Sequence, residues 1–104
     1  MVSHIDTGGQ DNISQNLKIF GDIWVMGILN ILAEVTQRFN ELQRSLGPVS
    51  PTVLADRLKR LEQYGLIMQE KHTIDQLSVT YRLTDKGQAI LPLLKSIENF
   101  ARKL

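Results

Sequence analysis

Residues 38–67, RFNELQRSLGPVSPTVLADRLKRLEQYGLI, decide the fold. Asn40 can cap a short helix with Gln43 at its third position, a variant of the capping box, so a helix is predicted over Glu41 to Ser45. Leu46-Gly47-Pro48-Val49 has turn chemistry, and Ser50-Pro51 then supplies an N-cap followed by proline at the first helical position. The helix that starts there runs to Tyr64 with Leu54, Leu58 and Leu61 on one face, and Gly65 provides a left-handed stop. A short helix, a tight turn and a capped helix in this order form a helix-turn-helix.

Toward the C-terminus the period changes from helical to nearer two. LIMQEKH and SVTYRL flank the polar stretch Thr73-Ile74-Asp75-Gln76 and predict a β-hairpin. Thr84-Asp85 caps a final helix rich in apolar residues, with Pro92 bending it or marking its effective start. Toward the N-terminus, Leu17, Phe20, Trp24, Ile28 and Leu32 recur at roughly helical spacing, interrupted by Gly21-Asp22. Two helices are predicted, the second capped by Asp22 and passing through the core, since WVMGILNIL is apolar on most sides. Residues 1–13 read as a flexible arm, and residues 14–104 as one domain. The fold class is mainly α with a small β-hairpin: a winged helix-turn-helix flanked by N- and C-terminal dimerisation helices.

Composition removes several functions. The absence of cysteine excludes disulfides, thiolate metal sites, cysteine nucleophiles and thiol redox sensing. His4 and His72 stand without a serine or carboxylate cluster around them, so neither catalysis nor a metal site nor a cofactor is expected. The apolar run Ile23 to Leu32 is about half a bilayer span, and a cytoplasmic protein without a membrane partner is expected.

The net charge of +1 says little, but its distribution says more. Residues 1–37 set Lys18 against Asp6, Asp11, Asp22 and Glu34, whereas residues 38–60 set Arg38, Arg44, Arg57, Lys59 and Arg60 against Glu41 and Asp56. With Leu54, Leu58 and Leu61 inward, a turn of about 100° per residue puts Thr52, Asp56, Lys59, Arg60 and Gln63 outward, with Ala55 and Arg57 flanking. Small residues near Ser50 and Thr52 let the backbone enter a major groove, and the longer cations reach base edges or phosphates. Asp56 would repel phosphates, so it either accepts a hydrogen bond from a cytosine amino group or orients Arg60 by an i,i+4 pair. On the hairpin, Lys71 and Arg82 are the candidate wing contacts, because the tip is not basic. The expected partner is double-stranded DNA. The competing reading is a winged-helix module that binds protein with the same faces, and salt dependence separates the two.

GDIWVMGILNIL, the RFNEL segment Arg38 to Leu42, the S-x-x-x-L-x-x-R-L-x-x-L spine from Ser50 to Leu61, Tyr64-Gly65-Leu66 and Y-x-L-T-x-x-G from Tyr81 to Gly87 together resemble the HxlR-type regulators, a branch of the MarR-like winged-helix proteins. The resemblance implies a homodimer on an inverted repeat, Ser50 to Arg60 as recognition helix, and Arg38-Phe39 in a short strand pairing with the wing. The last helix carries more apolar surface (Ile90, Leu94, Ile97, Phe100, Ala101 and Leu104) than one neighbour would cover, so a second chain or the first helix of its own chain is expected against it. The resemblance implies a dimer interface of first and last helices, which adds Leu17 and Phe20. The sequence departs from the family pattern in four places: the arm lacks the cysteine of redox-sensing members, Ile23 precedes Trp24 in place of lysine, Gln69 stands where arginine is common at the start of the wing, and Asp75-Gln76-Leu77 replaces the prolines of the wing. Phe20, Trp24 and Met26 are read first as core residues, and a small-molecule effector of unknown kind, if there is one, is placed near them between the core and the terminal helices.

Overall fold

The computed structural model describes residues 13–72 and 78–104. The expected arm lies outside the described residues apart from Ile13, and the wing tip Thr73 to Leu77 lies outside them as well. The element order is α1 (Ile13–Phe20), α2 (Ile23–Glu34), α3 (Phe39–Leu46), α4 (Pro51–Gln63), β1 (Ile67–His72), β2 (Ser78–Leu83), α5 (Asp85–Gln88) and α6 (Leu91–Ala101).

Helix α2 is the hub because its residues are apolar around most of the circumference. Val25, Ile28, Leu29 and Leu32 are buried, and α1, α3, α4, α6 and β2 all pack against it. Asp22 starts it as expected, its Oδ1 accepting from the backbone N–H of Trp24 at 2.9 Å and of Val25 at 3.1 Å. Leu42 from α3, Leu54, Leu58 and Leu61 from α4, Ile19 from α1 and Leu94 from α6 close the core around it. Each such leucine or isoleucine contributes about 1.5–3 kcal/mol by leaving water.

The short helix starts earlier than the sequence suggested. Arg38, not Asn40, is the N-cap, and Phe39 opens α3. The reason is Glu41, whose Oε1 accepts from the backbone N–H of Arg38 at 2.8 Å, so a carboxylate at the third helical position closes the turn two residues ahead of Gln43. Gln43 acts at the other end, donating from Nε2 to the Val49 carbonyl at 3.2 Å and tying α3 to the turn before α4. The second helix matches expectation at both ends: Ser50 Oγ accepts from Val53 N at 3.1 Å, and Gly65 has φ of 74°.

The hairpin pairs Ile67 with Leu83 through His72 with Ser78 in antiparallel register. The short strand expected at Arg38-Phe39 is reduced to an isolated bridge in which Gln37 pairs with Tyr81. Tyr81 N donates to Gln37 O at 2.7 Å and Gln37 N to Tyr81 O at 3.2 Å, and Phe39 is unavailable because α3 has begun. Thr84 caps only the short α5, accepting from Gly87 N at 3.0 Å while donating to Gly65 O at 2.6 Å. The predicted final helix is therefore interrupted, and α6 starts afresh with Pro92 in its first turn. Gly87 is required there: a Cβ would sit 2.0 Å from the Leu66 carbonyl oxygen.

Candidate nucleic-acid interface

The amino end of α4 is exposed and rests on a buried leucine face. Ser50, Pro51, Thr52 and Ala55 are exposed, as are Lys59, Arg60 and Gln63 farther along the same side. Behind them Leu54, Leu58 and Leu61 are at most 1% exposed, so the outward face cannot roll without emptying the core. First-turn N–H groups and the positive end of the helix dipole make such a terminus attractive to phosphate oxygens.

The α4 cations are not equivalent. Arg57 is half-buried and points back toward the body, its Nε donating to Asp22 Oδ2 at 2.7 Å and its Nη1 to Asp56 Oδ2 at 2.7 Å. Arg60 pairs through Nε with the same Asp56 oxygen at 3.2 Å, in i,i+4 spacing. Of the two roles open to Asp56 in the sequence, this geometry displays the orienting one. Lys59 makes no ion pair among the described residues. Burial alone would raise the Asp22 carboxyl, but hydrogen bonds from Val25 N, Arg57 and Trp24 N, with the Arg57 charge, bring it below the usual carboxylate value. Arg57 is raised in turn, first by its hydrogen bond to Asp22 and then by that to Asp56.

The remaining candidates are spread around this helix. Arg38 and Arg44 are exposed at the two ends of α3. Lys71 is exposed on β1. Arg82 on β2 is engaged within the wing, its Nε donating to Glu70 Oε2 at 2.8 Å and its Nη1 to the Leu83 carbonyl at 3.2 Å. Sequence reasoning treated Asp22 only as a helix cap. Its tie to Arg57 spans 35 positions and leaves no local spacing to read.

The terminal helices carry exposed apolar residues. Leu17, Ile97, Phe100, Ala101 and Leu104 are exposed, while Phe20 and Ile90 are half-buried against the core. Leu94 is a correction: at 1% exposure it belongs to the chain's own core, because it lies on the α6 face that packs on α2. Ile13, Ile23 and Leu93 are exposed apolar residues that the sequence reading did not place in this set. Between α2 and α6 runs a groove of about 310 Å³ lined by Ile23, Met26, Gly27, Asn30, Ile97 and Ala101, with the Asn30 amide donating to Glu98 at its edge. Of the three residues expected near an effector, it takes in Met26 but neither Phe20 nor Trp24.

A helix-turn-helix whose second helix is followed by a two-stranded wing, backed by terminal helices, defines a winged-helix protein. The family model described as HxlR-like helix-turn-helix matches residues 19–104, and the chain belongs to that family. The HTH-type transcriptional regulator YvaP of Bacillus subtilis strain 168 is 37% identical over 78 residues, covering 75% of this chain and 72% of that protein. A crystal structure of a MarR-family transcriptional regulator from Enterococcus faecalis V583 is similar over 95% of this chain and 94% of that one, with a TM-score of 0.75 and 32% identity. The reduced form of the regulator YodB from B. subtilis covers 89% of this chain and 91% of its own, with a TM-score of 0.77 and 26% identity. The chain is thus a transcriptional regulator with a helix-turn-helix, and no single helix among the described residues is long and apolar enough to cross a membrane.

Proposed function

We propose that this chain works as a homodimer that binds a palindromic DNA operator in a sequence-specific way and carries out no catalysis. The observation that carries the reading is the exposed amino end of α4, held outward by the buried Leu54, Leu58 and Leu61 and capped by Ser50. In this reading Ser50, Thr52 and Ala55 enter the major groove, Lys59 and Arg60 reach base edges or phosphates, and Arg38, Arg44 and Lys71 contact the flanking backbone. Arg57 braces the helix against Asp22, and Arg82 stiffens the wing through Glu70. The exposed apolar residues of α1 and α6 are covered by a second copy, which sets two α4 helices about 34 Å apart, one turn of DNA.

YodB is described in reduced and diamide-treated forms. A chain without cysteine has no thiol for such chemistry, so its DNA binding is proposed to be indifferent to diamide. Selection of bound fragments from random duplex DNA tests the whole reading. It should enrich an inverted repeat whose half-sites are centred about 10 base pairs apart or a multiple of that. Enrichment of a single unrepeated site, or of nothing, would contradict it.

A further inference from the structure

The two arginines of α4 are already paired with carboxylates. Asp56 Oδ2 accepts from Arg57 Nη1 at 2.7 Å and forms an ion pair with Arg60 Nε at 3.2 Å, while Asp22 Oδ2 accepts from Arg57 Nε at 2.7 Å. Two carboxylates thus neutralise two guanidiniums, and Lys59 is left as the cation of this face without an ion pair among the described residues. A helix evolved only to grip phosphates has no use for a carboxylate on its outward side, since that charge repels the backbone and engages the residues meant to bind it.

We propose that Asp56 is a specificity-determining residue, a carboxylate that withholds Arg60 and, together with Asp22, Arg57 from non-specific phosphate contacts. The inference rests on the DNA-binding reading of α4. On random duplex the arginines have internal partners as good as a phosphate, so little is gained by exchanging one for the other. At the cognate site, base edges aligned with Arg60 add interactions that Asp56 cannot match, and the exchange becomes favourable. The carboxylate therefore lowers non-specific affinity more than specific affinity, and the ratio of the two governs occupancy in a genome.

The two arginines differ in how they are held, which makes the test graded. Arg60 has one carboxylate partner and Arg57 has two. Asp56→Ala frees Arg60 and leaves Arg57 on Asp22; Asp22→Asn keeps a side chain able to cap α2. The full chain and its variants are titrated with a random-sequence duplex and with the selected operator over a range of salt. Thermal melting confirms that each variant is folded. Asp56→Ala should bind random duplex roughly three- to tenfold more tightly at low salt and steepen the salt slope by about 0.9, the release accompanying one further phosphate contact. The double variant Asp22→Asn/Asp56→Ala should steepen it by about as much again, and Asp22→Asn alone by little. The preference for operator over random duplex should fall in the same order.

An unchanged random-duplex affinity and slope in folded Asp56→Ala overturns the proposal. So does a loss confined to the operator, because Asp56 would then be reading a base itself. A wild-type chain that binds no duplex removes the functional reading and this inference with it. Wild-type binding with an indifferent Asp56→Ala removes the inference alone.

Discussion

Asp22 uses both oxygens of one carboxylate for different elements. Oδ1 accepts from two backbone N–H groups at the start of α2, and Oδ2 accepts from Arg57 on α4. Arg57→Ala is therefore expected to act on stability rather than on DNA reading, since it leaves a mostly buried carboxylate without its charged partner. The loss should be roughly 1–3 kcal/mol in urea unfolding. Arg60→Ala removes a side chain that is more than half exposed, so the melting temperature should hold while operator affinity falls by roughly 1–3 kcal/mol if Arg60 contacts a base. The Asp22 carboxyl lies below its ordinary value, with hydrogen bonds outweighing burial. A depressed acid stabilises the fold above the unfolded-state value of about 3.9 and loses that contribution as pH falls through the folded value. Unfolding between pH 5 and pH 2 should thus show a steeper stability loss in the wild type than in Asp22→Asn. Parallel curves would mean that the Arg57 pair does not hold in solution.

At the scale of elements, the joint between wing and body is tied by several side-chain hydrogen bonds and one close backbone contact. Thr84 accepts from Gly87 N and donates to Gly65 O, Lys86 Nζ donates to Tyr64 O at 2.9 Å, and the missing Gly87 side chain makes room for the Leu66 carbonyl. Gly87→Ala must move backbone, and a destabilisation of at least about 2 kcal/mol is expected in urea unfolding. Thr84→Ala should cost about 1 kcal/mol, the ordinary value of a lost cap. Much of this architecture was legible because its signals are local. Ser50-Pro51, Gly65, Asp22 and the alternating SVTYRL mark their own boundaries within a few residues. The failures share a cause in non-local competition. Glu41 outcompeted Gln43 and shifted the start of α3, whereas the break before α6 follows the expectation that Pro92 marks the effective start of that helix. Leu94 was misassigned because periodicity shows that a residue is on an apolar stripe but not whose core the stripe fills. The outward side of α4 followed from its leucine spacing, whereas the Asp22–Arg57 tie could not, because only the folded chain brings positions 35 apart together.

For the whole molecule, the exposed apolar residues of α1 and α6 and the exposed face of α4 lie on different elements, so the proposed assembly and the proposed DNA contact can be tested separately. Phe100 is 65% exposed on α6. Phe100→Asp should leave the melting transition of the monomer fold in place and shift the species seen by analytical ultracentrifugation from two chains to one. Affinity for a palindromic duplex should fall far more than affinity for a single half-site, because linked binding of two half-sites is lost. Equal losses on both duplexes would show that the α6 surface does not join two copies.

The most direct test of the account is the dependence of duplex binding on salt concentration, measured with the purified full chain and the selected inverted repeat. A groove-reading α4 supported by backbone contacts predicts a linear fall of log K with log salt, with a slope of about −0.9 for each phosphate neutralised and several phosphates per dimer. Binding that is flat with salt, or no association with any duplex at low salt, would contradict the assignment of α4 to DNA.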